Sequence, residues 1–209
     1  YARAGVIKTF EQMQQLRGPQ NLLLDIGLET PAYHRLREDM LRFNLAWIDR
    51  WLALDYDGLV FADDWGAQRR LLIAPETWRR DFKPVYAALF ARVKAAGWNV
   101  HLHSDGMIAD IIPDLIAIGV DVLNCQTMVV GLDRLKPFVG EVCFRIDLDR
   151  QHILPHGSPA QVKAHVHEIF ATLGTPQGGL IAFGEVGPDV PLANIRAMYD
   201  AFVEYGRLG

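Results

Sequence analysis

The 209-residue sequence predicts an α/β protein built on parallel strands, and three observations predict it. Short apolar runs alternate with helical segments, which is the rhythm of βαβ units rather than of a sandwich or a bundle. Within two of those runs, apolar and polar residues keep opposite parity, so each strand has one face for helices and one for an interior. The polar groups gather toward the C-terminal ends of the runs, where parallel α/β barrels keep their chemistry.

Composition sets the bounds. Half of the residues are hydrophobic, 22% are charged and the net charge is −4, which suits one globular domain with a sizeable core. A nucleic-acid partner would normally announce itself as a basic stripe, and none is present. No apolar run approaches the roughly 18 residues that cross a bilayer, and no signal-peptide pattern opens the chain, so no membrane partner is expected. Cys125 and Cys143 form neither a disulfide framework nor a C-x-x-C pair, and reduced thiols in a cytoplasmic protein are expected. The chain opens on Tyr1 rather than Met, so the numbering is expected to begin inside a longer polypeptide.

The elements follow in order. Residues 8–17 form a short helix stopped by Gly18-Pro19, and 21–28 is apolar without a clear period. A helix over 31–54 is expected to bury Leu36, Met40, Phe43, Trp47 and Trp51, leaving Tyr33 and His34 in solvent. Residues 57–64 make a buried strand ending in acids, followed by one helix over 75–96. Residues 99–104 are the second strand, 107–118 its helix, 119–124 the third strand and 141–147 the fourth, with a short helix near 132–138 between the last two. Ser158-Pro159 supplies an N-cap and a first-turn proline to a helix that buries Val162, Val166, Ile169, Phe170 and Leu173 and ends at Gly174. Residues 179–183 are the fifth strand. The last helix starts at Pro191 and is expected to bury Ile195, Met198, Tyr199 and Phe202. Neither a G-x-G-x-x-G nor a P-loop follows any strand, which removes support for a nucleotide-binding reading.

The stretch 99–106 organises the rest. Val100 and Leu102 share one parity, and His101, His103 and Asp105 the other. Further on, Val142, Phe144, Ile146 and Leu148 oppose Cys143, Arg145, Asp147 and Asp149, while Asn124 and Gln126 fall together. Strands of a doubly wound sheet are buried on both faces and read as continuous apolar runs. Strands with one polar face instead line the inside of a barrel, so a TIM-type (β/α)8 barrel is expected, although five strands cannot close one. An inward Arg145 needs a carboxylate or an anionic ligand, because a lone buried charge is costly; Asp147 or a substrate carboxylate meets that need. A bland reading of H-x-H-x-D also stands, as two core histidines and an Asp cap. Asp63 and Asp64 either contact substrate or cap the next turn. Cys143 reads as a small core residue, and His152, His156, His165 and His167 are expected in solvent.

Several ordered motifs carry a family resemblance. They are Asp63-Asp64-Trp65-Gly66-Ala67-Gln68 with Pro75-Glu76-Thr77-Trp78, then His103-Ser104-Asp105-Gly106 and Ile111-Ile112-Pro113-Asp114-Leu115. Gly119-Val120-Asp121-Val122-Leu123-Asn124, Asp149-Arg150-Gln151, Gly157-Ser158-Pro159 and Pro191-Leu192-Ala193-Asn194-Ile195 continue the series. Across most of 57–205 this chain resembles the uroporphyrinogen decarboxylase superfamily. The resemblance implies a TIM-type barrel whose N-terminal strands, roughly the first three, are missing from this segment, making 1–209 the C-terminal portion of a single barrel domain.

That superfamily holds two chemistries. One branch decarboxylates the acetate side chains of uroporphyrinogen III without a cofactor. The other contains cobamide-dependent methyltransferases, in which zinc bound by an H-x-C motif and a distant cysteine activates a thiol. Asp63-Asp64-Trp65-Gly66 and Asn124-Cys125-Gln126 make this chain more similar to the second branch. His103 matches the motif's histidine, Asp105 stands where its cysteine would be, and Glu185 adjoins the place of the distant cysteine near Gly184. The metal ligands implied are therefore His103, Asp105 and Glu185, holding Zn2+ or another, harder divalent ion. Asp64, Gln126, Arg145 and Asp147 are the candidate catalytic residues of the pocket. The implied activity is metal-assisted methyl transfer between a small-molecule substrate and a corrinoid on a partner protein. Porphyrinogen decarboxylation, a lyase reaction, and a non-catalytic binding role are the alternatives.

Overall fold

A computed structural model describes residues 1–206. Six strands, β1 (Arg3–Ile7), β2 (Gly58–Ala62), β3 (Asn99–Ser104), β4 (Val122–Cys125), β5 (Cys143–Arg145) and β6 (Leu180–Ile181), form one sheet in sequence order. Every neighbouring pair is parallel. A doubly wound sheet reverses its strand order partway. Strictly sequential order is that of a barrel wall, here open between β1 and β6.

Helices fill each crossover. Between β1 and β2 run α1 (Phe10–Arg17), α2 (Pro19–Gly27) and α3 (Pro31–Trp51), and between β2 and β3 run α4 (Pro75–Asp81) and α5 (Lys83–Lys94). The next crossovers carry α6 (Ile112–Ala117), α7 (Thr127–Val130) and α8 (Leu132–Leu135), then α9 (Ile153–His156) and α10 (Pro159–Leu173), with α11 (Leu192–Tyr205) last. Leu59, Phe61, Val100, Leu102, Leu123 and Phe144 are buried apolar residues of these strands, and Phe61 meets Phe90 of α5 edge-on at 4.8 Å. Val60, His101, His103, Val122, Asn124 and Arg145, of the opposite parity, line a common cavity that Leu102 also borders. Alternation along two strands thus separates the helix-facing side from the interior, as their parity predicts.

The strand count is six, not five, so the wall is two strands short of eight rather than three. β1 escapes a pattern reading because Gly5 interrupts it, with φ +35 and a register shift between Ala4 and Val6. A Cβ at Gly5 would strike the Trp51 ring, so the glycine makes room for α3. The phase of α3 also differs from expectation. Tyr33, Met40, Asn44 and Ile48 are buried, whereas Phe43 and Trp47 are exposed and pack on each other. Tyr33 is drawn in against Phe82, and Asn44 donates to the Thr9 hydroxyl and the Lys8 carbonyl. The expected single helix over 75–96 breaks at Phe82, because Pro84 has no N–H for a continuous ladder and sits instead in the first turn of α5.

In α10 the Ser158 cap is a full capping box with Gln161. The last helix buries Asn194, Ala197, Met198 and Ala201 rather than the larger Ile195, Tyr199 and Phe202. Asn194 sets that phase by donating to the Leu154 and Gly157 carbonyls, both 2.8 Å away.

His165 is buried, not solvated. Its Nε2 accepts the Asp149 N–H at 3.1 Å, which ties α10 to the loop after β5. Burial pushes its pKa down, so the folded state holds a neutral ring and the unfolded state titrates near 6.5. The stability this gives is present above pH 6.5 and is lost as pH falls below it. Urea unfolding of the wild type is expected to weaken from pH 6.5 to 4.5 by up to about 1.4 kcal/mol per pH unit for each such ring. His165→Gln should flatten that limb, and an unchanged limb would contradict the assignment.

Asp63 caps from a distance. Helix α1 has no side-chain cap of its own, and Asp63 accepts the N–H groups of Thr9 and Glu11, both at 2.8 Å, and the Tyr86 hydroxyl at 2.7 Å. Burial lifts its pKa to about 7 against the pull of those three donors. Asp63→Ala strands all three and is expected to cost about 3 kcal/mol or more in urea unfolding. A loss below about 1 kcal/mol would show that water satisfies them.

Candidate metal centre

The loops after β2 and β3 are stitched together backbone to backbone. Asp63 N–H donates to the His103 carbonyl at 3.1 Å, Gly66 N–H to the Asp105 carbonyl at 3.0 Å, and Met107 N–H to the Ala67 carbonyl at 2.8 Å. Trp65 N–H reaches Ser104 Oγ at 3.0 Å. The Trp65 ring is fully buried, stacked on Phe10 at 4.1 Å, and its Nε1–H donates to Tyr86. Gly106 has φ +79, and a Cβ there would overlap the Gly66 backbone. The DDWG and HSDG turns are therefore one rigid unit.

That unit brings Asp64, His103 and Asp105 together, with one ligand atom of each within 4.8 Å of the others. His103 Nε2 lies 3.6 Å from Oδ1 of Asp64 and 3.6 Å from Oδ1 of Asp105. Asn124 decides the tautomer. Its Nδ2 donates to the Arg145 carbonyl at 2.8 Å, so its Oδ1 accepts from His103 Nδ1 at 2.9 Å. The proton thus sits on Nδ1, and the Nε2 lone pair faces the two carboxylates. Asp64 is held by the Asp105 N–H on Oδ1 at 2.8 Å. Asp105 Oδ1 is buried with no hydrogen-bond partner.

These residues fit a divalent cation. Ligand atoms on bonds of about 2.1 Å in a tetrahedral site lie roughly 3.4 Å apart, within a few tenths of an ångström of the two Nε2–Oδ1 separations. One imidazole nitrogen and two carboxylate oxygens form a harder set than thiolates, suiting zinc and harder ions alike. Both cysteines are free, and neither belongs to the cluster.

Arg150 closes the rim. Its guanidinium pairs with Asp105 Oδ2 and with Glu185, and its Nε is 3.7 Å from Asp147 Oδ2. Burial raises the Asp147 pKa to about 6, with Arg150 opposing the rise. A cleft of about 200 Å3 is walled by Gln68, Gln126, Asp147, Arg150, Gln151 and His152, and Arg150 links it to Asp105 of the cluster.

The sequence-predicted residues fall as follows. His103 and Asp105 come together, and Asp64, taken as catalytic, joins them in the cluster. Glu185 is held on Arg150 and is outside it. Gln126 accepts the Gly106 N–H at 2.8 Å. Arg145 does not pair with Asp147. It donates to Asn124 Oδ1 at 2.9 Å and lies 3.6 Å over the Phe183 ring, while Asp147, beyond the end of β5, turns to Arg150. Asn124 and Arg150 went unpredicted. A buried amide ending the run Val122-Leu123-Asn124 was the available signal for one, and the Asp149-Arg150-Gln151 motif for the other.

Known proteins share the fold. The sequence profile of the family described as Uroporphyrinogen decarboxylase (URO-D) matches residues 9–205. Among solved structures, a methyltransferase from Methanosarcina mazei superposes with a TM-score of 0.73 at 15% identity, over 98% of this chain and 59% of that one. A dihydropteroate synthetase crystallised with a product superposes with a TM-score of 0.53 at 15% identity, over 97% of this chain and 68% of that one. At such identity these likenesses concern the fold. This chain spans 59% of the methyltransferase's length. None of the curated proteins matches it significantly. With sequential parallel strands, polar strand ends and a profile match over 9–205, the chain belongs to the uroporphyrinogen decarboxylase (URO-D) family.

Proposed function

We propose that this chain is the C-terminal portion of a barrel enzyme that transfers a methyl group between a small-molecule substrate and a corrinoid on a partner protein. Asp64, His103 and Asp105 would hold a divalent cation there. The observation that carries the reading is the locked His103 tautomer, with Nε2 aimed at two carboxylate oxygens, one of them lacking any partner. When bound, the cation supplies Lewis acidity toward a substrate heteroatom. Asn124 holds the imidazole in its ligating orientation, and the Asp105 N–H orients Asp64. Arg150 steadies Asp105 from its outer oxygen and keeps Glu185 at the rim. Asp147, near pH 6 in its titration and part of the cleft wall, can hold or release a proton beside the substrate. Gln126 fixes the Gly106 turn.

The open edges of β1 and β6 support completion of the barrel by strands outside residues 1–209, since unpaired strand edges are a liability. Among the described residues no helix is long and apolar enough to cross a membrane. The two free cysteines support a cytoplasmic setting.

A second reading draws on Arg150, which already neutralises Asp105 and Glu185 and would serve a metal-free pocket. One assay separates the two. Full-length protein given zinc, reduced cobalamin and a panel of small methylated thiols, amines and ethers should form methylcobalamin, and a chelator should stop it. Chelator-insensitive decarboxylation of uroporphyrinogen would replace the methyl-transfer reading, and neither activity would leave a binding role.

A further inference from the structure

Among the described residues no hydrogen bond reaches the carboxylate of Asp147, although the residue is only 4% exposed. Its Oδ1 is buried without a partner, and its Oδ2 stands 3.7 Å from Arg150 Nε, beyond hydrogen-bond reach. Burial lifts its pKa to about 6, so the group is ionised at neutral pH. A carboxylate taken from water without donors is costly, and in native proteins such a group calls for a ligand or an ion. Arg150 does not answer it in full. One guanidinium is shared among Asp105, Glu185 and Asp147, and its hydrogen bonds go to the first two. With a divalent cation on Asp64, His103 and Asp105, Arg150 would still face two further carboxylates, of which Asp147 is the one without a hydrogen bond.

Space lies beside it. Asp147 lines the cleft of about 200 Å3 together with Gln126, Met128, Asp149 and Arg150, room for a molecule of several non-hydrogen atoms. The cleft does not form a second metal site. Asp149 Oδ1 already accepts the N–H groups of Gln151 and His152, at 2.9 and 2.8 Å, and among the described residues Asp147 belongs to no group of three converging ligands. An occupant that satisfies Asp147 therefore brings its own N–H donors and its own positive charge, and the part-exposed Met128 side chain offers its carbon atoms an apolar contact.

We infer that Asp147 is a substrate-binding residue that takes the ammonium end of a small amine in this cleft. An ammonium suits it because its N–H groups form charge-assisted hydrogen bonds with a carboxylate, the strong class of such bonds. Arg150 touches both Asp147 and Asp105, so an amine seated here lies one guanidinium away from the cation cluster. The substrate class that spans both is a small primary amine with a methylated oxygen or sulfur at its far end. The methylated end rests on the methyl-transfer reading, whereas the ammonium subsite does not.

Chelator-treated full-length protein is titrated by calorimetry, at constant ionic strength, with 2-methoxyethylammonium and with 2-methoxyethanol, its neutral counterpart. The ammonium should bind about tenfold or more tightly, the worth of one charged hydrogen bond. Asp147→Asn should bring the two affinities together, while Asp64→Asn, which alters the cation cluster alone, should keep the preference. Equal affinities in the wild type, or a preference that survives Asp147→Asn, overturns the subsite. A preference lost in Asp64→Asn and kept in Asp147→Asn assigns the ammonium to the cation cluster and overturns it too. If Asp147→Asn does not fold, wild-type crystals soaked with 2-methoxyethylammonium decide: its nitrogen within hydrogen-bond reach of the Asp147 carboxylate supports the subsite, and any other position overturns it. Zinc and reduced cobalamin then test the methylated end. Wild type should convert 2-methoxyethylammonium faster than 2-methoxyethanol, with methylcobalamin and ethanolamine formed one for one, and Asp147→Asn should lose the difference. The binding preference without any methyl transfer would overturn the methyl-transfer link and leave the ammonium subsite standing.

Discussion

His103→Ala is expected to lower zinc affinity by more than about a hundredfold, and with it the proposed methyl transfer, while leaving the fold intact. His103 supplies the one nitrogen of the cluster and stands 3.6 Å from both carboxylates, so no neighbour takes its place. Its side chain is about one-third exposed, so truncation opens little core. Asp105→Ala should weaken binding less, because water can replace one carboxylate. Asn124→Leu provides the graded case: the ligand stays but its orienting acceptor is gone, a change typically worth about 10–100-fold in metal affinity. Competition with a chromophoric chelator measures all three. Unchanged affinity in His103→Ala would remove the histidine from the site.

Gly106→Ala should be the most damaging single methyl in the chain. At φ +79 any side chain is strained, and here the added carbon would also overlap the Gly66 backbone. Parting the two loops breaks the Gly66–Asp105 and Met107–Ala67 backbone bonds and moves Asp64 away from His103. The expected loss in urea unfolding is more than about 3 kcal/mol, from left-handed strain of roughly 1–2 kcal/mol plus two bonds of about 1 kcal/mol each. Gly97 supplies the control, since it has the same φ of +79 and nothing within 4 Å of an added Cβ. Gly97→Ala should therefore show the strain alone. Equal losses at the two positions would mean that the close approach of the loops contributes nothing.

What the sequence shows of this molecule is what is local. Parity along 99–105 survives because alternation on a strand is imposed by the backbone itself, and it separates Val100 and Leu102 from His101 and His103. The Ser158 cap is equally local. The phase of α3 was not legible, because large aromatic residues look like core while the choice is made by tertiary contacts of Tyr33 and Asn44. The same holds for α11, whose phase follows Asn194 rather than its bulkiest side chains. In the site, His103 and Asp105 are two residues apart and were found together. Asp64 joins them from the neighbouring loop, 39 residues before His103, through backbone bonds that no spacing rule describes. The role of Arg150 was hidden for a related reason: the Asp149-Arg150-Gln151 motif marks its place, but its meaning comes from two carboxylates distant in sequence, Asp105 and Glu185, that converge on it with nearby Asp147.

The central claim is that Asp64, His103 and Asp105 form a divalent-cation site, and anomalous diffraction at the zinc edge tests it most directly. Crystals of the full-length protein, purified without chelator and supplied with zinc, should show one peak per chain, bonded to His103 Nε2 and to carboxylate oxygens of Asp64 and Asp105. No peak there at full zinc loading, or a peak on Cys125 or Cys143 instead, would contradict it.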